Sequence, residues 1–315
     1  MKAVVIHEYG SADVLRYEEA EAPTIKPDEL LVKVRAAGVN PIDWKIRKGM
    51  LKVISGNKFP MILGFDLAGE VLEIGSQVSN FQIGDEIYGS LPLPGGAYAQ
   101  LAAVPQKVAA VKPKSISFKE AAALPVAALT ALQSLRDKAN IKPLQTVLIN
   151  GASGGVGIFA VQIAKALGAE VTGVCSGKNF DFVKSLGADS LVDYTQQDFT
   201  QISVQYDIVF DAVGKQTFDN CKKVLKSNGV YVTTLPNLQN IVSIGLTSLF
   251  GSKKAKFILA QPNTADLLYL NELIEAGKMR VVIDCTYTLQ ELAAAHIYSE
   301  SERAKGKIAI NGMGE

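Results

Sequence analysis

The segment TVLINGASGGVGIFAVQIAKALG, at residues 146 to 168, constrains the fold of this chain more than any other. An apolar strand runs directly into Gly151, Gly154 and Gly157, and an amphipathic helix follows. Gly151 allows turn angles that side chains forbid, Gly154 allows the backbone to approach a diphosphate, and Gly157 allows the helix to pack closely on the strand. Amide hydrogens at the start of the helix then meet phosphate oxygens. The segment therefore predicts a Rossmann loop that binds a dinucleotide.

The glycine spacing in this segment is G-x-x-G-x-x-G and departs from the common G-x-G-x-x-G, so a tight turn without a ligand is the alternative. Strand, loop, helix and second strand occur together, however, and this context favours the dinucleotide. The loop residues predicted to contact the cofactor are Gly151, Ser153, Gly154, Gly155, Val156 and Gly157.

Strand-like and helix-like segments alternate from residue 146 onward, with TVLIN, EVTGVC, SLVDY and YDIVFD as the first strands. Such alternation indicates βαβ units and a parallel sheet with helices on both faces, which places the chain in the α/β class. The first hundred residues instead hold short apolar or alternating runs separated by Gly, Pro, Asn and Asp, as in small β-structure. Ser117 and Glu120 have capping-box spacing ahead of an alanine-rich segment, and this indicates a domain boundary near 117.

The end of the second strand, EVTGVCSGKN, decides which nicotinamide cofactor is expected. An acidic residue there would hold the ribose hydroxyls of NAD and would repel a 2′-phosphate. This stretch offers Ser176 and Lys178 instead, and Tyr194 ends the following strand. Because a hydroxyl and an ammonium hydrogen-bond and neutralise a phosphate, NADPH is predicted over NADH. In the alternative interpretation, Lys178 is a solvated charge and Tyr194 is an aromatic residue at a strand edge.

Composition and charge exclude several classes of function. The 315 residues include 32 basic and 31 acidic ones, interspersed along the chain, so neither nucleic acid nor an anionic membrane is an expected partner. The most apolar stretch, AAALPVAALTAL, contains Pro125 and is too short to span a bilayer. The three cysteines match no metal-ligand pattern, and the first residues lack the character of a signal or transit peptide. We therefore expect a soluble cytoplasmic protein.

Five segments precede the glycine-rich segment in a characteristic order. They are AAGVNPIDWKIRKG at 36 to 49, GFDLAGEV at 64 to 71, IGDEIYG at 83 to 89, GGAYAQ at 95 to 100 and AALPVAALTA at 122 to 131. Together with the glycine-rich segment, they resemble the medium-chain dehydrogenase/reductase superfamily and, within it, the zinc-free quinone oxidoreductase branch. The resemblance covers essentially the whole chain. It is strongest to alkenal/enone oxidoreductases and chloroplast-envelope quinone oxidoreductase homologues, which share the patterns N-P-x-D-x-K and S-x-G-K.

This resemblance implies a two-domain architecture. A GroES-like β-rich catalytic domain would comprise residues 1 to 117 and 279 to 315, and a Rossmann NADP-binding domain would comprise residues 118 to 278. The active site would lie in the cleft between the domains and would be mostly apolar. Monomers and homodimers both occur in this group, and both are left open.

The resemblance also implies that no zinc is bound. Zinc-containing members have a cysteine where this chain has Asn40, and a histidine-glutamate pair where it has Phe65 and Asp66. Neither Asn40 nor Phe65 is a suitable zinc ligand. The four-cysteine lobe that holds a structural zinc is missing as well. We therefore predict no metal of either kind.

The catalytic candidates come from the N-P-x-D-x-K segment. In the relatives its lysine lies beside the nicotinamide and the substrate, and by that match Lys45 is the leading active-site cation and a cofactor contact. Lys45 or Asn40 would hydrogen-bond the substrate carbonyl as negative charge grows on it. Alternatively, Asn40 holds a turn before Pro41, and Lys45 is an exposed helix residue. Many relatives have a tyrosine proton donor where this chain has Leu51, which leaves the donor open, with water as a candidate, and argues against an enoyl thioester reductase.

The remaining candidates are weaker. The histidines His7 and His296 lie in no motif, so a histidine acid-base role is not expected. Further positions predicted to line the cofactor site are Thr130, Val213, Ile258, Leu259, Arg303 and Ala304.

The combined prediction is a zinc-independent oxidoreductase that uses NADPH to transfer hydride to quinones or to the activated C=C bond of enones and enals. Its partner would be a small, apolar, electrophilic substrate. Two alternatives are left open: a reductase that transfers single electrons to quinones, and an NADPH-binding redox sensor or partner-binding protein with little reductase activity.

Overall fold

The computed structural model describes residues 1–235, 238–249 and 251–313. The chain divides into two compact units, of which the first is Met1–Ala127 together with Gln261–Glu315 and the second is Ala128–Ala260. The strands are β1 Lys2–Ile6, β2 Arg16–Glu19, β3 Glu29–Val39, β4 Met61–Ile62, β5 Asp66–Ile74, β6 Glu86–Ser90, β7 Leu101–Pro105, β8 Ala109–Val111, β9 Thr146–Asn150, β10 Glu170–Cys175, β11 Ser190–Asp193, β12 Tyr206–Asp211, β13 Leu225–Thr233, β14 Lys254–Phe257, β15 Ile283–Thr288 and β16 Lys307–Asn311. The helices are α1 Pro41–Arg47, α2 Lys52–Ser55, α3 Phe118–Ala122, α4 Pro125–Gln133, α5 Gly157–Ala166, α6 Phe180–Ser185, α7 Phe218–Cys221, α8 Leu238–Leu249, α9 Thr264–Glu275 and α10 Leu292–Glu300.

The first unit is a β-structure built around the long strand β3. Within the described residues, its main sheet has seven strands in the order β15-β16-β3-β5-β6-β8, with β7 also paired to β3. Leu30, Val32 and Val34 alternate along β3 with less buried residues and are fully buried, as expected for a strand with one face on a core. The last strand, β16, pairs antiparallel with β3, so the end of the chain completes a sheet that begins near its start.

The second unit contains the parallel sheet that the sequence predicts, and the α/β fold class is confirmed. In the part of the chain that the structure describes, six strands form this sheet in the order β11-β10-β9-β12-β13-β14, and every neighbouring pair is parallel. Val147, Leu148 and Ile149 of β9 are consecutive and fully buried, because both faces of a central parallel strand are covered. The strand order reverses direction between β9 and β12, and this is the place where open parallel sheets bind ligands.

Helix α5 differs from its prediction as an amphipathic helix. All eight residues from Gly157 to Ala164 are buried, including Gln162, whose side-chain amide donates to the carbonyl of Ile158 at 2.8 Å. A helix that is covered on all sides needs an almost continuous apolar sequence, and GIFAVQIA has one. Among the described residues, no helix combines the length and the apolar character that crossing a membrane requires.

The division into units differs from the predicted boundaries at 117 and 279. Both α3 and α9 belong to the first unit, although the prediction assigned them to the Rossmann domain. Helix α3 lies against β3 so closely that a Cβ atom on Gly38 would be 2.4 Å from the carbonyl oxygen of Ala122. Helix α9 is held by Tyr88, whose hydroxyl donates to the carbonyl of Leu267 at 2.9 Å and to Asn271 at 2.6 Å.

Candidate functional site

The glycine loop, residues 151 to 157, joins β9 to α5 at the carboxyl end of the sheet. Gly151 has a φ of +82°, and a Cβ atom there would be 2.5 Å from Val213 Cγ2. A Cβ atom on Gly157 would be 2.0 Å from the carbonyl oxygen of Gly151. At Gly154, by contrast, the nearest atom to a Cβ would be the Gly151 oxygen, at 3.4 Å. Packing therefore requires glycine at 151 and 157, whereas Gly154 leaves room for a ligand to approach the backbone.

Asp211, at the end of β12, fixes the other side of this site, and the sequence analysis did not identify it. Its side chain is fully buried and accepts a hydrogen bond of 2.8 Å from Asn150 at the end of β9. It also accepts hydrogen bonds from the backbone amides of Val213, Gly214 and Gln216, at 2.8 to 3.3 Å. These bonds position the predicted cofactor residue Val213 against Gly151. The signal in the sequence was an aspartate that ends a strand and precedes A-V-G.

The SGKN turn, residues 176 to 179, follows β10 and holds the candidates for the ribose phosphate. Ser176 is 9% exposed, Lys178 is exposed, and Tyr194 at the end of the next strand is 61% exposed. Residues Gly177 to Asn179 form a 3₁₀ turn. The structure therefore brings Ser176 and Lys178 to the carboxyl end of β10, beside the glycine loop that follows β9.

A carboxylate also lies at this turn, although EVTGVCSGKN contains none after its first residue. It belongs to Asp193 of β11, whose Oδ2 would be 2.6 Å from a Cβ atom on Gly177. Hydrogen bonds from the side chain and then the backbone of Thr195, at 2.7 and 2.9 Å, lower the pKa of Asp193. Burial, and then the charge of Asp193, raise the pKa of Cys175 to about 11, which keeps this thiol protonated. The sequence analysis considered only the stretch after β10 itself, and this acid comes from the neighbouring parallel strand.

In the first unit, Asn40 belongs to a buried cluster with Asp43, Asp66, Tyr98 and Lys307. Asn40 is 1% exposed. Its amide nitrogen donates to Asp66 at 2.8 Å, and its amide oxygen accepts a short hydrogen bond from the ammonium of Lys307. Its backbone amide donates to Asp43 at 2.6 Å, which fixes the first turn of α1. Asn40 thus has a structural role at the turn, and one N–H of its amide is left for any further contact.

The two acids of this buried cluster have raised pKa values. Burial raises the pKa of Asp43 to about 7 and that of Asp66 to about 6, and the nearby charge of Lys307 partly opposes both shifts. Burial lowers the pKa of Lys307, against the attraction of the two carboxylates. With all three groups ionised, the cluster holds two negative charges and one positive charge away from water, which favours protonation of one acid near neutral pH.

Lys45, the leading catalytic candidate, lies on α1 beside Trp44. Its ammonium is 5.4 Å from the centroid of the Trp44 ring. Partial burial lowers the pKa of Lys45, and the charge of Glu302 opposes this shift. A cation with part of its hydration removed interacts more strongly with a developing anion than a fully solvated one. Lys45 can therefore stabilise negative charge on a nearby oxygen.

The inner face of α1 is held by a second buried group, which the sequence analysis missed. Arg47 is fully buried, donates to the carbonyl of Gly10 at 3.3 Å and forms a short ion pair with Glu300 of α10. It also donates to His296, at 3.4 Å. Burial, and then the charge of Arg47, lower the pKa of His296 to about 3. His296 is therefore neutral near pH 7 and unsuited to proton donation.

The other predicted residues are divided between the two units. Arg303 and Ala304 follow α10 in the first unit, whereas Thr130, Ile258 and Leu259 lie in the second. Ile258 is 5% exposed. Its backbone amide donates a hydrogen bond to the carbonyl of Thr233 at 3.1 Å, which extends the sheet beyond β14. Leu259 is 66% exposed. Across residues 1–235, 238–249 and 251–313, no three His, Cys, Asp or Glu side chains are arranged to hold a metal ion.

Comparison with known families and proteins gives matches along nearly the whole chain. Residues 26–114 match the family described as alcohol dehydrogenase GroES-like domain, and residues 186–310 match the one described as zinc-binding dehydrogenase. The chloroplast envelope quinone oxidoreductase homolog of Arabidopsis thaliana is 36% identical, with 98% of each chain covered. The NADPH-dependent alkenal/one oxidoreductase of the same plant is 34% identical, over 98% of this chain and 79% of that protein.

Solved structures agree with these matches. The quinone oxidoreductase from Coxiella burnetii has a TM-score of 0.91 and 34% identity, with 99% of both chains covered. The Escherichia coli quinone oxidoreductase complexed with NADPH has a TM-score of 0.87 and 26% identity, over 99% of this chain and all of that one. The chain belongs to the medium-chain dehydrogenase/reductase family, among the homologues of its quinone oxidoreductases.

Proposed function

We propose that this chain is a zinc-independent, NADPH-dependent oxidoreductase that transfers hydride to quinones or to the activated C=C bond of enones and enals. The observation that carries the proposal is the glycine loop at the strand-order reversal between β9 and β12. The chain that contains this loop is 36% identical to a quinone oxidoreductase homologue and 34% identical to an alkenal/one oxidoreductase. Quinones, enones and enals share an electron-poor carbon conjugated to a carbonyl oxygen, so one site chemistry suits all three.

The glycine loop fits the diphosphate of a dinucleotide. Backbone amides of residues 151 to 157 and the start of α5 provide the hydrogen-bond donors, and the open surface at Gly154 admits a phosphate. Asp211 and Asn150 hold the loop in place. When bound, NADPH supplies the hydride from C4 of its nicotinamide.

The SGKN turn supports NADPH over NADH. Ser176 and Lys178 provide a hydroxyl and an ammonium for the 2′-phosphate. The negative charge of Asp193 repels the 2′-phosphate of NADPH. Hydrogen bonds from the backbone and side chain of Thr195 stabilise this charge. We assign the preference to Lys178, whose charge balances that of Asp193.

On the substrate side we assign Lys45 the role of stabilising the oxygen that becomes negative as hydride is delivered. The support is its partly desolvated ammonium, and preorganised charge of this kind is a large contribution in many enzymes. Asn40 acts as a positioning residue, because its contacts to Asp66, Lys307 and Asp43 fix the start of the helix that carries Lys45. We assign the final proton to water.

The residues at the catalytic zinc position do not fit a zinc ion. The amide oxygen of Asn40 is bonded to a cation, the ammonium of Lys307, and Phe65 offers no ligand atom. We therefore derive no step through a metal, despite the name of the family that residues 186–310 match.

The test is an NADPH-oxidation screen across quinones, 2-alkenals and 2-alkenones, with NADH as the control cofactor and a chelator-treated sample beside the untreated one. We expect turnover with at least one substrate class, a preference for NADPH, and full activity after chelation. NADPH binding without oxidation of any substrate would contradict the reductase and favour a nucleotide-binding sensor. Semiquinone detected by electron spin resonance during turnover would contradict hydride transfer, and activity restored only by added zinc would contradict zinc independence.

A further inference from the structure

Asn179 stands at the place where a helix cap is expected but does not cap its helix. It immediately precedes α6, and asparagine at this position normally accepts a hydrogen bond from a backbone amide in the first turn. No such bond is present at α6. At α9, by contrast, Asn263 does accept one, from the amide of Asp266 at 2.8 Å. The side chain of Asn179 therefore serves something other than its own helix.

That side chain is directed to the glycine loop. Its amide nitrogen donates to the hydroxyl oxygen of Ser153 at 3.2 Å. Its amide oxygen is buried and has no hydrogen-bond partner among the residues that the structure describes, in a side chain that is 7% exposed. A buried acceptor without a donor is unfavourable, so this junction is complete only when a further donor is added.

The two segments that Asn179 joins come from different βα units. Ser153 belongs to the loop after β9, and Asn179 closes the turn after β10. These strands are parallel neighbours, with Val174 of β10 beside Asn150 of β9, so their carboxyl ends lie side by side. One segment is placed for the diphosphate and the other for the ribose phosphate. The adenosine ribose connects these two groups in a dinucleotide and carries a hydroxyl donor between them.

We propose that Asn179 is a cofactor-positioning residue that ties the glycine loop to the SGKN turn and whose amide oxygen is completed by a ribose hydroxyl of the bound dinucleotide. The inference rests on the proposed NADPH binding and adds a residue to it. The 3′-hydroxyl is common to NADH and NADPH, so loss of the Asn179 side chain weakens the binding of both dinucleotides. Reduced nicotinamide mononucleotide has no adenosine half and is unaffected.

The test compares wild type with Asn179→Ala and Asn179→Asp, using NADPH, NADH and reduced nicotinamide mononucleotide. For Asn179→Ala we expect the Kd of both dinucleotides to rise about fivefold to tenfold, with little change in kcat at saturating cofactor and none in turnover with the mononucleotide. Asn179→Asp keeps the shape but adds a negative charge beside the phosphate turn. This substitution should therefore weaken the binding of NADPH more than that of NADH.

Two further variants separate positioning from stability. Ser153→Ala removes the other half of the hydrogen bond, should reproduce Asn179→Ala, and should add little to it in the double variant. Asn263→Ala removes a true helix cap, so it should lower the Tm and leave the Kd of NADPH unchanged. Unchanged dinucleotide affinity in Asn179→Ala, or an equal loss with the mononucleotide, would overturn the proposal. Failure of wild type to bind either dinucleotide would instead reject the proposed function.

Discussion

Asn150 donates a hydrogen bond of 2.8 Å to Asp211 and so joins the carboxyl ends of β9 and β12, the two strands between which the strand order reverses. The same carboxylate accepts hydrogen bonds from three backbone amides of the following loop. A single buried acid thus holds the turn that packs Val213 against the glycine loop.

Replacement of Asp211 by alanine is expected to lower the free energy of unfolding by about 2 to 4 kcal/mol, because several buried donors lose their acceptor together. Chemical denaturation measures this loss, and NADPH affinity should fall with it. Asp219→Asn is the control, since it alters an exposed ion pair with Lys222 in the same unit and should change stability by less than about 1 kcal/mol. Equal effects of the two substitutions would contradict the role of Asp211.

Gly157→Ala is expected to abolish dinucleotide binding or weaken it by at least about tenfold. The added methyl would lie 2.0 Å from the carbonyl oxygen of Gly151, so the loop must shift. Gly245→Ala, within α8, is the matched control, because a methyl there meets nothing within 4 Å. Since alanine favours a helix over glycine, this control should raise the free energy of unfolding by about 0.5 to 1 kcal/mol and leave binding intact. Calorimetric titration with NADPH distinguishes the two results.

Lys45→Met is expected to lower kcat/KM for an enone or quinone about 10- to 100-fold, because the substitution removes the cation while keeping the length of the side chain. Steady-state kinetics at saturating NADPH measures the loss. Lys48→Met is the control on the same helix, since the ammonium of Lys48 lies 5.3 Å from the same Trp44 ring. Its kcat/KM should stay near that of wild type. If both variants lose activity equally, the effect belongs to packing around Trp44 and not to catalysis by Lys45.

Asp43 is expected to make the protein less stable as pH rises from about 4 to about 7. The unfolded chain releases this proton near the ordinary pKa of 3.8, whereas the folded protein keeps it to about 7, so the folded state binds more protons in this range. Asp43→Asn mimics the protonated acid and should match wild type near pH 4. At about pH 8 it should be more stable by at least about 1 kcal/mol.

Urea denaturation of wild type and Asp43→Asn across this pH range provides the measurement. Asp13→Asn, at an exposed position of the same unit, serves as the control and should track wild type throughout. A constant difference between Asp43→Asn and wild type at every pH would show that Asp43 is not the group responsible.

Local sequence patterns predict much of the fold. The apolar strand before Gly151 and the alternating segments after it predict the parallel sheet, and steric contacts at Gly151 and Gly157 account for two of the glycines. The two compact units divide at other residues than the predicted domains. The sequence of α9 resembles any other helix of a βαβ unit, and its place in the first unit is shown by contacts with residues far away along the chain, such as Tyr88.

The residues that were missed owe their roles to pairings that a linear sequence does not show. Asp193 and Gly177 are sixteen positions apart but adjacent through the pairing of β10 and β11. Lys307 lies in a lysine-rich stretch that looks solvent-exposed, yet it is 3% exposed because β16 enters the sheet beside β3. Arg47 is likewise buried, and its acidic partner Glu300 lies 253 positions further along the chain.

The pairing of β16 with β3 has a consequence for how the protein is made. Residues 36 to 39 of β3 are synthesised long before the strand they pair with, β16, which follows the whole of Ala128–Ala260. Until β16 is made, this part of β3 has unpaired amides and carbonyls on one edge, which are prone to join foreign strands. The second unit, which is continuous in sequence, can form during translation, whereas the first unit is completed only when the last strand emerges.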